Sequence, residues 1–183
     1  MRKRQSGWGS AFTLVEILVV VVILGIAGAI IVPQIGTRDD RKVEAAARVI
    51  IADLIYAQNL AITQQSNHYV MFQLSPTPVK YSLVRSTDMT VVEHPVNKTP
   101  YAVTFGTSGS PGMGQITLVS ADFRGQSAST YNTLGFDELG TPLVYTGTVS
   151  EPMTSGSIVI QCGEHALRID VEPFTGQITV TAI

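Results

Sequence analysis

Cysteine is almost absent: Cys162 stands alone in 183 residues, so no disulfide can form within the chain and no Cys-x-x-Cys pair offers a structural metal site. Its place in the apolar alternation Ile158-Val159-Ile160-Gln161-Cys162 predicts a buried structural thiol, not a reactive one. Positive charge is scarce beyond the first few residues. The chain has 12 basic and 14 acidic residues, and Arg2, Lys3 and Arg4 account for three of the basic ones. From Asn67 onward five basic side chains stand against nine acidic ones, which disfavours a phosphate-neutralising surface, and no nucleic-acid partner is expected. Catalytic motifs are missing as well. His68, His94 and His165 lie far apart in sequence and belong to no nucleophile, acid/base or metal motif. The glycine-rich run from Gly106 to Gly114 lacks the Gly-Lys-Ser/Thr ending of a phosphate cradle. No enzymatic activity, metal or cofactor is expected.

A long apolar run is present. From Phe12 to Val32 the chain is apolar apart from Thr13, Glu16 and the glycines, and as a helix it reaches about 30 Å, one hydrocarbon thickness. The Arg2-Lys3-Arg4 cluster ahead of it belongs on the cytoplasmic side, which sends the following residues across the membrane. A competing reading is a secretory signal peptide cut after Ala27-Gly28-Ala29. Against it, Glu16 interrupts the apolar run near its start, and Ile30, Ile31 and Val32 continue that run past the cut. A carboxylate in such a span costs about 2.5–3.5 kcal/mol near the bilayer centre and less near an end, so Glu16 calls for a partner. If the chain is cut before Phe12, the new α-amino group is a cation, and Glu16 can pair with that group on a neighbouring chain.

Ala11-Phe12-Thr13-Leu14-Val15-Glu16, after a short basic leader and before an apolar helix, resembles the processing signal of type IV pilins and type II secretion pseudopilins. The resemblance implies that a membrane-embedded prepilin peptidase cuts between Ala11 and Phe12 and methylates Phe12. The residue before the cut is usually glycine in that family; alanine is the next smallest. Gly25 within the helix and a kinking Pro33 also match the family pattern. By this resemblance Glu16 is the assembly residue. The partners implied are other pilin or pseudopilin subunits, the prepilin peptidase and an inner-membrane assembly platform.

After Pro33, apolar residues recur at Val43, Ala46, Ala47, Ile50, Ile51, Leu54, Ile55, Ala61 and Ile62 with helical period, and neither Gly nor Pro falls between Thr37 and Gln65. An amphipathic helix is expected there, ending near Asn67, with its apolar stripe covered by the rest of the chain. From His68 onward short β-rich runs alternate with turn residues. The expected strands are His68–Leu74, Val79–Arg85, Thr90–Glu93, Ala102–Phe105, Gln115–Val119, Pro142–Thr148, Ser157–Cys162, Ala166–Glu172 and Gln177–Ala182. The last two form a hairpin around Pro173-Phe174-Thr175-Gly176. The fold class is thus α+β: a long N-terminal helix, half transmembrane and half amphipathic, packed on an antiparallel β-sheet or two-sheet body. The expected organisation is a leader over 1–11, a transmembrane half over 12–35, an amphipathic half over 36–66, and a periplasmic β-rich body over 67–183.

A second resemblance, to the H-type minor pseudopilins and FimT-like minor pilins, rests on four places. They are Leu54, Ala57, Ala61 and Ile62; Phe136-Asp137-Glu138-Leu139-Gly140; Ile158-Val159-Ile160; and Val171-Glu172-Pro173-Phe174-Thr175-Gly176. It implies a minor structural subunit of a secretion or pilus-like filament, single-pass in the bacterial inner membrane and filament-associated after assembly. The alternatives are a minor pilin that binds DNA or a surface, and a soluble exported domain released by signal peptidase.

Overall fold

A computed structural model describes residues 12–31, 38–106, 109–127 and 129–183, with the side chains of 28–31 and 38 excepted. The leader, Ala11 and Pro33 lie outside the described residues. The chain divides into two compact units between Arg38 and Asp39.

The first unit contains helix α1, Leu14–Ile31. It is apolar on every side, and the described side chains from Phe12 to Ile26 are all exposed. A helix without a polar face does not rest in water; it belongs in lipid or inside an assembly.

The second unit begins within α2, Arg38–Gln64, which has Asp39 and Asp40 in its first turn, where carboxylates favour the exposed N–H groups. Lys42 closes on Asp39 at 2.7 Å. The helix ends without a glycine: Gln65 takes φ 48°, the Ser66 N–H returns to the Ala61 carbonyl at 3.2 Å, and the Gln65 amide donates to the Ile62 carbonyl at 2.8 Å. That arrangement satisfies the last carbonyls of the helix.

Eleven strands follow: β1 His68–Gln73, β2 Lys80–Arg85, β3 Ala102–Thr104, β4 Thr117–Arg124, β5 Thr130–Tyr131, β6 Thr133–Phe136, β7 Pro142–Tyr145, β8 Ser150–Pro152, β9 Ser155–Cys162, β10 His165–Val171 and β11 Ile178–Ala182. They build a six-stranded sheet in the order β3-β2-β1-β6-β7-β8 and a five-stranded sheet in the order β11-β10-β9-β4-β5. All pairings are antiparallel. Between the two sheets Phe72 of β1 meets Phe123 of β4 at 5.7 Å. One contiguous core takes in Val43, Ile50 and Leu54 of α2 with residues of both sheets. The β10–β11 hairpin has the expected register, Val171 opposite Ile178 and Ile169 opposite Val180.

Several strand limits differ from expectation. The strand expected to stop at Val119 runs on to Arg124, because a bulge between Leu118 and Ser120 shifts the alternation and turns Val119 outward. Thr90–Glu93 makes only isolated bridges at Val91 and Glu93. Asp88 accepts from the Thr90 N–H and hydroxyl and turns the chain there, while Pro95 and Pro100 limit the donors for a longer ladder. β6 escaped notice because Thr-Leu-Gly-Phe shows no alternation: it is buried on both faces between β1 and β7.

α2 is fastened to the six-stranded sheet through Asp53. Its carboxylate accepts hydrogen bonds from Tyr81 of β2 and from Tyr101, the latter at 2.8 Å. Burial, reinforced by the Asp53 charge, raises the pKa of both phenols, so both remain donors. Cys162 is buried, as expected, and burial raises its thiol pKa too.

His68 is fully buried at the start of β1. Nδ1 lies 2.9 Å from the Ser66 carbonyl, which can only accept, so Nδ1 carries the proton. Nε2 has no partner among the described residues. Burial lowers the pKa of this imidazole, Arg85 adds to the effect, and the Ser66 carbonyl opposes it.

Two outcomes follow for the full chain in detergent. Asp53→Ala strands the buried Tyr81 hydroxyl and lowers the unfolding free energy by about 2–3 kcal/mol, read by denaturant titration. His68 protonates more readily unfolded than folded, so its contribution is fully present above about pH 6.5 and is lost as pH falls toward its lower folded-state pKa. Thermal melts across that window should show a decline that His68→Gln removes.

Candidate functional site

The first turn of α1 gathers the residues singled out in the sequence. Phe12 and Thr13 precede the helix in non-helical backbone. The Thr13 carbonyl accepts from the N–H groups of Glu16 at 3.1 Å and Ile17 at 3.2 Å, and the Thr13 hydroxyl accepts from the Glu16 N–H at 3.2 Å. Thr13 is therefore the N-cap, and Glu16 sits at the third helical position, where a carboxylate favours the positive helix end by about 0.3–1 kcal/mol. Thr-x-x-Glu is the capping-box spacing. In the sequence Thr13 reads only as a polar break in an apolar run; its spacing to Glu16 is the signal from which the cap is recoverable. Among the described residues the Glu16 carboxylate has no cationic partner. Phe12 and Leu14 are 75% and 82% exposed.

By length and composition the Asp39–Gln64 stretch of α2 also qualifies as a membrane span. Its apolar face, however, is buried in the body's core, and Asp39, Lys42, Glu44, Arg48 and Asp53 interrupt it. The helix suited to lipid is α1.

Three of the four places of the second resemblance converge at the C-terminal end of α2. The β6–β7 turn is shaped by Asp137, whose Oδ1 accepts from the N–H of Leu139 at 2.9 Å and of Thr141 at 2.7 Å. This presents the Gly140 carbonyl to the Gln58 amide at 2.8 Å. Gly140 has φ +83°, and a Cβ there would stand 2.9 Å from Ile62 Cδ1; Gly176, in the β10–β11 turn, has φ +68°, and a Cβ there would stand 2.7 Å from Gln58 Nε2. Two hairpins thus meet on one side chain of the helix, and only glycine fits at either contact. Leu139 and Phe174 stand 84% and 78% exposed at the tips of these turns.

The histidines are not brought together. His68 is buried at β1, His94 stacks on Tyr101 at 4.7 Å, and His165 begins β10. Among the described residues no group of three or more His, Cys, Asp or Glu side chains is placed to hold a metal.

No family model matches the chain. Among solved structures it is similar to the minor pseudopilin EpsH from the type 2 secretion system of Vibrio cholerae, with a TM-score of 0.49 and 12% identity over 77% of this chain and 97% of that one. In sequence it is 51% identical over 47 residues to the type II secretion system core protein G of Pseudomonas aeruginosa. The likeness to that protein is local. The matched stretch is 26% of this chain and 30% of that relative's length.

In the body, Gly176→Ala places a Cβ against Gln58 and a non-glycine residue in the left-handed region. It should destabilise the chain by about 1–3 kcal/mol in denaturant titration, with Gly140→Ala similar. The double variant should fall short of the sum, because both contacts share Gln58.

Proposed function

We propose that this chain is a structural pseudopilin subunit of a type II secretion-type filament and that it performs no catalysis. The observation that carries this reading is α1: a helix with no polar face, capped by Thr13, with one carboxylate in its first turn and Ala11-Phe12 just ahead of it. Such a helix serves as a membrane anchor before assembly and as packing surface afterwards. Prepilin peptidase cuts between Ala11 and Phe12 and methylates Phe12. The inner-membrane assembly platform then extracts the chain into the filament, where Glu16 pairs with the α-amino group of a neighbouring subunit. The body lies in the periplasm; α2 and the sheets give it rigidity, and Pro33 lets the helix bend between membrane and body. The acidic excess of the body supports protein partners over nucleic acid.

Mass spectrometry of the mature protein tests the processing step. An N-methylated Phe12 is the expected start, whereas a chain beginning at Ile30 would make the protein a released soluble domain and end the proposal. Glu16→Ala should leave insertion and cleavage intact and reduce recovery in sheared filament fractions; unchanged recovery would remove its role in assembly.

A further inference from the structure

The sheets leave one flank of α2 uncovered. The expected stripe included Ile51, Ile55 and Ile62, but the core takes the arc of Val43, Ala46, Ala47, Ile50, Leu54, Ala57 and Ala61. Ile51 remains half-buried, and Ile55 and Ile62 are 46% and 39% exposed. These residues belong to a second row: Glu44, Arg48, Ile51, Ile55, Gln58 and Ile62 follow one another at alternating four- and three-residue steps, the spacing of a helix seam that meets another helix. At the start of the row a cavity of about 290 Å³ opens between Glu44, Ala47, Arg48 and Ile51 of α2 and Leu167, Val180 and Ala182 of β10 and β11. Val180 lies on the core-facing side of the edge strand, opposite Ile169, yet stays 43% exposed because α2 does not reach over it.

The occupant is indicated by chemistry within the chain itself. The groove has an apolar floor and two charged side chains on its rim: Glu44 and a single cation, Arg48, whose side chain is 80% exposed and lies 3.5 Å from Glu44. An exposed pair of that length contributes little, which leaves Arg48 available to another carboxylate. α1 is the complement: apolar on all sides, needing cover outside lipid, with Glu16 as its one charged residue.

We propose that the groove between α2 and β11 receives the first turns of α1 from a second copy of the chain, with Arg48 of one copy facing Glu16 of the other. The inference rests on the filament-subunit reading above. A filament of one polarity aligns the two helices parallel, so Glu16 beside Arg48 sets Ile23 beside Ile55, one heptad further along both. The Glu16 carboxylate has lone pairs for a guanidinium as well as an α-amino group. Glu44 competes for Arg48.

Two tagged full-length copies test the contact, one with Ile23→Cys and the other with Ile55→Cys, both with Cys162→Ala, co-produced and oxidised in sheared filaments. Ile23 and Ile55 are exposed, so the substitutions leave the core intact. A cross-linked pair of the two tags is expected. Its yield should fall several-fold with Arg48→Glu, hold with Arg48→Lys, and rise with Glu44→Gln. Both tags in the filament without a cross-link, or a yield indifferent to the charge at position 48, overturns the contact and leaves the filament role standing. A wild-type chain that never enters sheared filaments overturns both.

Discussion

The body depends on the burial of one arc of α2. Neither sheet closes a core alone: one contiguous core joins Val43, Ile50 and Leu54 of the helix to buried residues of both sheets. Burying side chains of this size stabilises by about 1.5–3 kcal/mol each. The Asp53 carboxylate, accepting from Tyr81 and Tyr101, adds direction to that nonspecific attraction by fixing the rotation of the helix about its own axis. With the rotation fixed, the row Arg48, Ile51 and Ile55 is turned outward as a consequence and not as a separate feature.

Much of this was legible in the sequence. The apolar run, the helical period after Pro33 and the change to β-rich runs at His68 specify an α+β chain, because each rests on the periodicity of burial, a local signal. What was not legible depended on pairing. β6 had no alternation to read, the β4 bulge reversed its own alternation, and the outward turn of Ile55 and Ile62 depends on how far two distant sheets extend over the helix. Of the candidate site, Phe12 and Glu16 could be read from a short motif. The meeting of Gly140 and Gly176 on Gln58 joins positions far apart in the chain, and no local pattern announces it.

The two units differ in what stabilises them. The body is held by a packed core and buried hydrogen bonds. The described side chains of α1 up to Ile26 are exposed, and such a helix takes its environment as its tertiary structure. Moving such a helix from lipid to a protein groove exchanges one apolar surrounding for another, so the difference in free energy is small and polar contacts decide it. One carboxylate and one guanidinium are then enough to matter.

The Thr13 cap bears on how the chain tolerates being cut. Thr13 supplies both its carbonyl and its hydroxyl to the first turn, and Phe12 stays outside the helix. The bond ahead of Phe12 therefore adjoins non-helical backbone, the form in which a peptide bond enters a protease cleft, and among the described residues the contacts that start α1 lie on the C-terminal side of it. The cut proposed at that bond would change the charge at the tip of α1 without unwinding it: a finished helix would acquire a new end, its register inherited from the precursor.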